Sequence, residues 1–280
     1  MSISLVIYSQ ESDLFEGPIF DTENNLLYFV SILNCLVYCY SPETKEILSV
    51  KLGSPTSNVY LTNETKIVLA ASKKGFFEVN FNDLSAEFKF QIDIPDNMRY
   101  NDGIQDARGR YLIGTMGYPE VIEGMANVYS YSNDQSKILI KNTSISNGLV
   151  FTENDKTLYF IDTPTKKVAK YNYDIETGDA EFSEYIIEFK DNGSPDGMCC
   201  DNDGMLWIAE WGGSCVSQWN PKNGQRLRQI KLPHKNVTSC CFDKDNNLYV
   251  TTAKDETSPY SSGSGLFHIK LNNSQNYDTY

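Results

Sequence analysis

A short figure recurs six times along the 280 residues of this chain: an apolar strand, an Asp/Asn/Gly turn, then a second apolar strand. Its clearest copy is Pro195–Ala209. Others begin at Glu16, Asn101, Ser146 and Thr238, and a weaker one begins at Ser57. Anchored on Gly17, Asn58, Gly103, Gly148, Gly197 and Cys240, the copies lie 41, 45, 45, 49 and 43 residues apart. A period near 45 with four strand-like segments per unit is the signature of propeller blades, each of about 40–50 residues. The third and fourth strands are legible where the repeat is clean. Val168–Tyr173 leads through Ile175–Gly178 into Glu181–Ile187, and Val216–Trp219 leads through Pro221–Gly224 into Leu227–Leu232. No stretch sustains a 3.6-residue period, and the turns are of Asn-Gly and Asp-Gly type. The expectation is all-β: a single six-bladed β-propeller domain over residues 1–280. The N-terminal strand through Ile7 should close it by joining the last blade beside Leu266–Ile269, which hides an edge that would otherwise aggregate.

Composition agrees with such a fold. Tyr and Phe number 18 and 14, and aromatic residues favour strands. The formal net charge of −13 repels phosphate backbones and anionic membranes, so neither nucleic acid nor a lipid surface is expected as a partner. No apolar run approaches the roughly 18 residues of a membrane span. The start lacks the basic region of a signal peptide. Seven cysteines cannot all pair, and none has zinc-site spacing with His234 or His268. Reduced, mostly buried thiols in a cytoplasmic protein are the expectation.

Repeat phase locates a site. The first strand of each blade lines the central channel, so equivalent positions converge on the axis. The residue before the phase position is Glu16, Asp102, Asn147 and Asp196 in four blades, and Ser57 and Ser239 in the others. Two carboxylates about 4 Å apart repel by roughly 4 kcal/mol at an effective dielectric of 20, so such a ring must protonate or bind a cation. Oxygen donors without His or Cys suit Ca²⁺, Mg²⁺ or Mn²⁺ better than a structural zinc. Arg99 and Asn101, just before Asp102, are candidates to hold a substrate. Asp21, Asp106, Asp201 and Asp243 recur after the first strand and read as turn formers. The segment Gly117–Ala126 interrupts the blade pattern and reads as a lid over the channel mouth, or else as simply a long loop.

These residues resemble the senescence marker protein/regucalcin and gluconolactonase family. The stretches concerned are Glu16–Pro18, Arg99–Gly103, Gly109–Met116, Ile145–Leu149, Pro195–Met198, Leu206–Ala209 and Thr238–Phe242. The resemblance implies a six-bladed propeller whose one divalent cation (Ca²⁺, Mg²⁺, Mn²⁺ or Zn²⁺) is bound by Glu16, Asn147 and Asp196. It implies that Arg99 and Asn101 contact substrate with Asp102 close by, and that the activity is hydrolysis of sugar lactones. Some members hold sugar hydroxyls with an acidic residue shortly after the Gly-Thr-Met stretch. Pro119 aligns there, which makes the adjacent Glu120 the candidate.

The chemistry expected is Lewis-acid activation of the lactone carbonyl with a carboxylate deprotonating the attacking water, Asp196 as the first choice and Asp102 as the alternative. A calcium-binding regulatory protein without turnover would share the same ring. A related propeller hydrolase acting on phosphotriesters or luciferin-like compounds would share its chemistry. A scaffold propeller would have an ordinary axis and a busy rim.

Overall fold

The computed structural model describes residues 1–152, 155–255 and 262–271. Six four-stranded antiparallel sheets follow one another along the chain as the blades of a propeller. Blade 1 contains β2 (Phe15–Asp21), β3 (Leu26–Ser31), β4 (Leu36–Tyr40) and β5 (Ile47–Lys51); blade 2 contains β6 (Thr56–Leu61), β7 (Ile67–Ser72), β8 (Gly75–Asn80) and β9 (Ser85–Phe90). Blade 3 is β10 (Met98–Gln105), β11 (Tyr111–Gly117), β12 (Ala126–Ser132) and β13 (Gln135–Thr143), and blade 4 is β14 (Ser146–Thr152), β15 (Thr157–Asp162), β16 (Lys167–Asp174) and β17 (Asp179–Glu188). Blade 5 is β18 (Ser194–Cys200), β19 (Leu206–Trp211), β20 (Cys215–Asn220) and β21 (Gln225–Lys231). Blade 6 joins β22 (Asn236–Phe242), β23 (Leu248–Ala253) and β24 (Ser264–Lys270) to β1 (Ser2–Ser9) from the other end of the chain.

That closure matches the expected one, with Leu5 opposite Phe267 and Ile7 opposite Leu266. The following segment continues the zipper: Leu14 bridges Ala253, and the Lys254 amide donates to the Asp13 carbonyl. Among the described residues the only helical element is one 3₁₀ turn, Thr163–Thr165, and no helix is long and apolar enough to cross a membrane.

The core lies between blades, not within them. Six hydrophobic clusters each join one blade to the next, such as Val59, Val68 and Val79 against Tyr28, Val30 and Val37 between blades 1 and 2. A sixth cluster, with Phe15 and Phe29 against Tyr249 and Leu266, closes the ring. Middle strands covered on both faces must be apolar throughout, and β3 and β23 are buried at every residue. The aromatic excess is used here: Phe90 stacks on Phe76 at 4.4 Å and on Tyr131 at 3.9 Å, across blades 2 and 3. Neighbouring cysteines do face opposite ways. Cys240 packs between blades 5 and 6, and Cys241 between blades 6 and 1.

One irregularity is shared by all six blades. The pairing of first with second strand shifts register at the phase position, between Glu16 and Ile19, Thr56 and Asn58, Tyr100 and Gly103, Asn147 and Leu149, Pro195 and Met198, and Val237 and Ser239. A bulge bends the strand and re-aims a side chain, so each blade has a device for turning one residue out of its ladder. In four blades glycine stands at this place, where neighbouring inner strands approach closely. A Cβ on Gly148 would lie 2.8 Å from the Asp196 carbonyl oxygen, and one on Gly197 would lie 2.2 Å from Ser239 Oγ.

Candidate functional site

The bulges bring Glu16, Asp102, Asn147 and Asp196 to the start of the inner strands, where the axis meets one face of the ring. Glu16, Asn147 and Asp196 are buried, as are Arg99 and Asn101 beside them; Asp102 is half-buried. Backbone amides hold two of the carboxylates from behind: Gly17 N donates to Glu16 Oε2 at 2.8 Å and Gly103 N to Asp102 Oδ1 at 2.7 Å.

The charges are crowded enough to perturb one another. Burial, then repulsion from Asp102, raises the Glu16 carboxyl to about 8. Burial, then Glu16 and Asp102, pushes Asp196 well above the usual carboxylate range. Burial raises Asp102 to about 6. The same enclosure lowers the Arg99 guanidinium to about 10, against the pull of Glu16, Tyr118 and Asp196. When all are ionised, the Glu16, Asp102 and Asp196 carboxylates with the one Arg99 guanidinium leave two negative charges uncompensated, the charge of one divalent cation. All the donors are oxygens, which hard cations prefer. Among the described residues no three His, Cys, Asp or Glu side chains are gathered into a cage by themselves, so a cation here would need the Asn147 amide oxygen as well.

Hydrogen bonds fix the amides of the site. Arg99 Nη1 donates to Asn101 Oδ1 at 2.7 Å and to the Tyr100 carbonyl at 2.9 Å. Asn101 Nδ2 donates to Asn147 Oδ1 at 2.7 Å and to the Ser146 carbonyl at 2.9 Å. Asn147 Nδ2 donates to Thr163 Oγ1 at 2.8 Å. Hydrogen bonds thus join Arg99, Asn101 and Asn147, and the mutual electrostatic influence of Glu16, Asp102, Asp196 and Arg99 brings the carboxylates to the same place.

Glu120 stands apart from that group. Its side chain is exposed, and its carbonyl folds back over Gly117, where a Cβ would lie 2.2 Å away. The segment's nearest approach in charge to Arg99 comes from Tyr118, which sequence reasoning passed over. Tyr118 N donates to the Asn97 carbonyl, and the Lys73 ammonium lies 5.3 Å from the ring centroid. The only sequence signal was its place in an interrupted repeat. The segment springs from the second strand's end, on the same face as the carboxylates, where a lid would have to sit.

The recurring aspartates after the first strand lie at the opposite face and close turns. Asp201 accepts from Asp203 N, Met205 N, Trp207 Nε1 and Gln218 Nε2. Asp106 accepts from Arg110 Nε and Tyr173 Oη, both at 2.7 Å, and so ties blade 3 to blade 4. A concavity of about 510 Å³ on that face is lined by Arg108, Tyr111, Tyr131 and Glu176 among others, and Arg108 is already paired with Glu176.

Residues 14–254 match the model of the SMP-30/gluconolactonase/LRE-like region. The chain belongs to this family. Its relatives include a Bacillus subtilis protein provisionally named sugar lactone lactonase YvrE, 35% identical over 246 residues that cover 86% of this chain and 84% of that one. Regucalcin of Xenopus laevis is 34% identical over 258 residues, covering 89% and 86% of the two chains. Among solved structures, a calcium-binding protein, regucalcin, from Agrobacterium tumefaciens superposes with a TM-score of 0.86 at 23% identity, over 95% of this chain and 92% of that one. That last likeness is one of fold, and the six blades described above are the family's architecture.

Proposed function

We propose that this member of the family hydrolyses a sugar lactone at the axial site, with one divalent cation held by Glu16, Asn147 and Asp196. The observation that carries the reading is the crowding of charge: Asp102 acts on Glu16, both act on Asp196, and the one guanidinium, Arg99, answers only Glu16 and Asp196 of the three, in a family whose named members include lactonases. When bound, a divalent cation supplies Lewis-acid polarisation of the lactone carbonyl. The protein's own groups do the remaining work. Arg99 spends Nη1 on Asn101 and the Tyr100 carbonyl and keeps further N–H donors for lactone hydroxyls. Asn101 has both donor and acceptor engaged, so it shapes the floor on which the substrate lies. Tyr118 and the segment after it cover the mouth and keep bulk water from the bound ring.

A carboxylate must take the proton of the attacking water. A general base is most effective when its pKa lies near the working pH. Asp102, raised to about 6, meets that condition, and its role leaves Asp196 free to serve as a ligand. Asp196 as both ligand and base is the competing assignment.

Isothermal titration with Ca²⁺, Mg²⁺, Mn²⁺ and Zn²⁺, run beside a panel of sugar lactones after chelation and metal add-back, tests the set. Asp196→Ala should lose both cation binding and turnover. Asn147→Ala should weaken binding but recover at high metal. Asp102→Asn should bind the cation and lose turnover. Full activity in exhaustively chelated protein refutes the metal requirement. Cation binding with no hydrolysis of any lactone points instead to a binding protein built on the same ring.

A further inference from the structure

We propose that Thr163, in the connection between β15 and β16, is the positioning residue that aims the Asn147 amide oxygen at the cation position. This rests on the reading above, in which Asn147 is a ligand. A side-chain amide has nearly the same shape either way round, and only its partners decide which end faces the site. For Asn147 the partners form a directed chain through three blades. It starts at the Arg99 guanidinium, which can only donate, and passes to Asn101 Oδ1. Asn101 Nδ2 must then donate, and it does so to Asn147 Oδ1. Asn147 Nδ2 is left pointing at Thr163 Oγ1, 2.8 Å away.

Thr163 ends the chain in the same sense. Its hydroxyl donates to the Pro195 carbonyl at 2.8 Å, an oxygen that can only accept. With its one hydrogen committed there, Oγ1 faces Asn147 as an acceptor. One hydroxyl thus secures a ligand on β14 and the residue just before a ligand on β18. Thr163 is itself pinned, since its amide donates to the Ile145 carbonyl at 3.2 Å and the preceding Asp162 accepts from the amides of Ser144 and Ile145. Flipping Asn147 would set its NH₂ against the NH₂ of Asn101 and turn hydrogens toward the cation position.

Thr163→Val keeps the shape and removes the hydroxyl. Buried Asn147 Nδ2 then has no acceptor, and the amide is held from one side only. Outer partners of metal ligands typically affect affinity by about 10- to 100-fold. Titration of chelator-stripped protein with Ca²⁺ and with Mn²⁺ should show Thr163→Val at least about tenfold weaker than wild type and Thr163→Ser within about threefold. In an Asn147→Ala background the same Thr163→Val change should cost less than about threefold, because the group it orients is gone. Melting of the ion-free variants in the same samples reports folding, and Thr163→Ala, which adds no apolar surface, is a second route to the same deletion. Wild-type affinity in folded Thr163→Val or Thr163→Ala overturns the inference while leaving the metal reading intact. A Ser variant as weak as Val also overturns it. Wild type that titrates no divalent cation overturns the metal reading itself.

Discussion

Replacing Glu16 by glutamine should make the ion-free protein more stable at pH 8 while destroying its affinity for divalent cations. The folded-state carboxyl titrates near 8, against 4.5 for the ordinary group. Folded protein therefore keeps a proton that the unfolded chain surrenders between those values. The stability contributed by this proton is complete below pH 4.5 and is lost as pH climbs through 8. At about 1.4 kcal/mol per pH unit, the loss reaches at most about 4 kcal/mol by pH 8. Glutamine preserves the shape, can accept the 2.8 Å hydrogen bond from Gly17 N, and has no proton to lose. Urea unfolding in chelator should find wild type and Glu16→Gln within about 1 kcal/mol of each other at pH 5. At pH 8 the variant should be ahead by about 2–4 kcal/mol. Adding a divalent cation at 100 times its dissociation constant should stabilise wild type alone, by about 2.7 kcal/mol. A difference between the two proteins that does not change from pH 5 to pH 8 refutes the picture of a crowded, buried carboxylate ring.

Three further outcomes follow from the fold. Deleting residues 1–8 removes six of the seven cross-strand pairs with β24 and should cost about 3–5 kcal/mol in chemical denaturation; most of the strand's side chains are exposed, so the loss is mainly of hydrogen bonds. A truncated chain that melts with wild type would contradict closure by this strand. Gly148→Ala places a methyl 2.8 Å from the Asp196 carbonyl and should lower stability by about 1–3 kcal/mol while weakening cation binding, and unchanged values for both would refute the tight inner packing. Alkylation in denaturant without reductant should count seven free thiols, as the structure has them. A stoichiometric disulfide, which Cys199 and Cys240 with sulfurs 3.6 Å apart are nearest to forming, would contradict this.

The sequence exposes what repeats. The period set the blades, the strand at the chain's start pointed to closure beside Leu266–Ile269, and the shared phase of Glu16, Asp102, Asn147 and Asp196 predicted that they would meet. Even the weak copy at Ser57 forms a blade, because Val59, Val68 and Val79 still fill the space between sheets. What does not repeat stayed hidden. Thr163 lies in a connection whose length and composition differ from blade to blade, and its role depends on one hydroxyl reaching across to Pro195. Tyr118 sits in an insertion with no counterpart elsewhere. The bulges were invisible for the opposite reason: every copy carries one, so comparing copies reveals no difference. Glu120, chosen by adjacency to Pro119, is exposed, with its carbonyl close over Gly117.

A bulge in every inner strand also separates two tasks that strands usually combine. Below the bulge the ladder is continuous, with Cys200 opposite Leu206 and Phe151 opposite Leu158, and register there is fixed by the cores between blades. At the bulge the side chain turns toward the axis, held where needed by a neighbour, as Asn147 is by Asn101 and Thr163. Each blade thus offers one position at the same place in its inner strand, and glutamate, aspartate, asparagine and serine already occupy it in different blades. A ring built this way can change its ligand set one blade at a time, with Ser57 and Ser239 as vacant places in the alphabet, so new chemistry at the axis does not require a new fold around it.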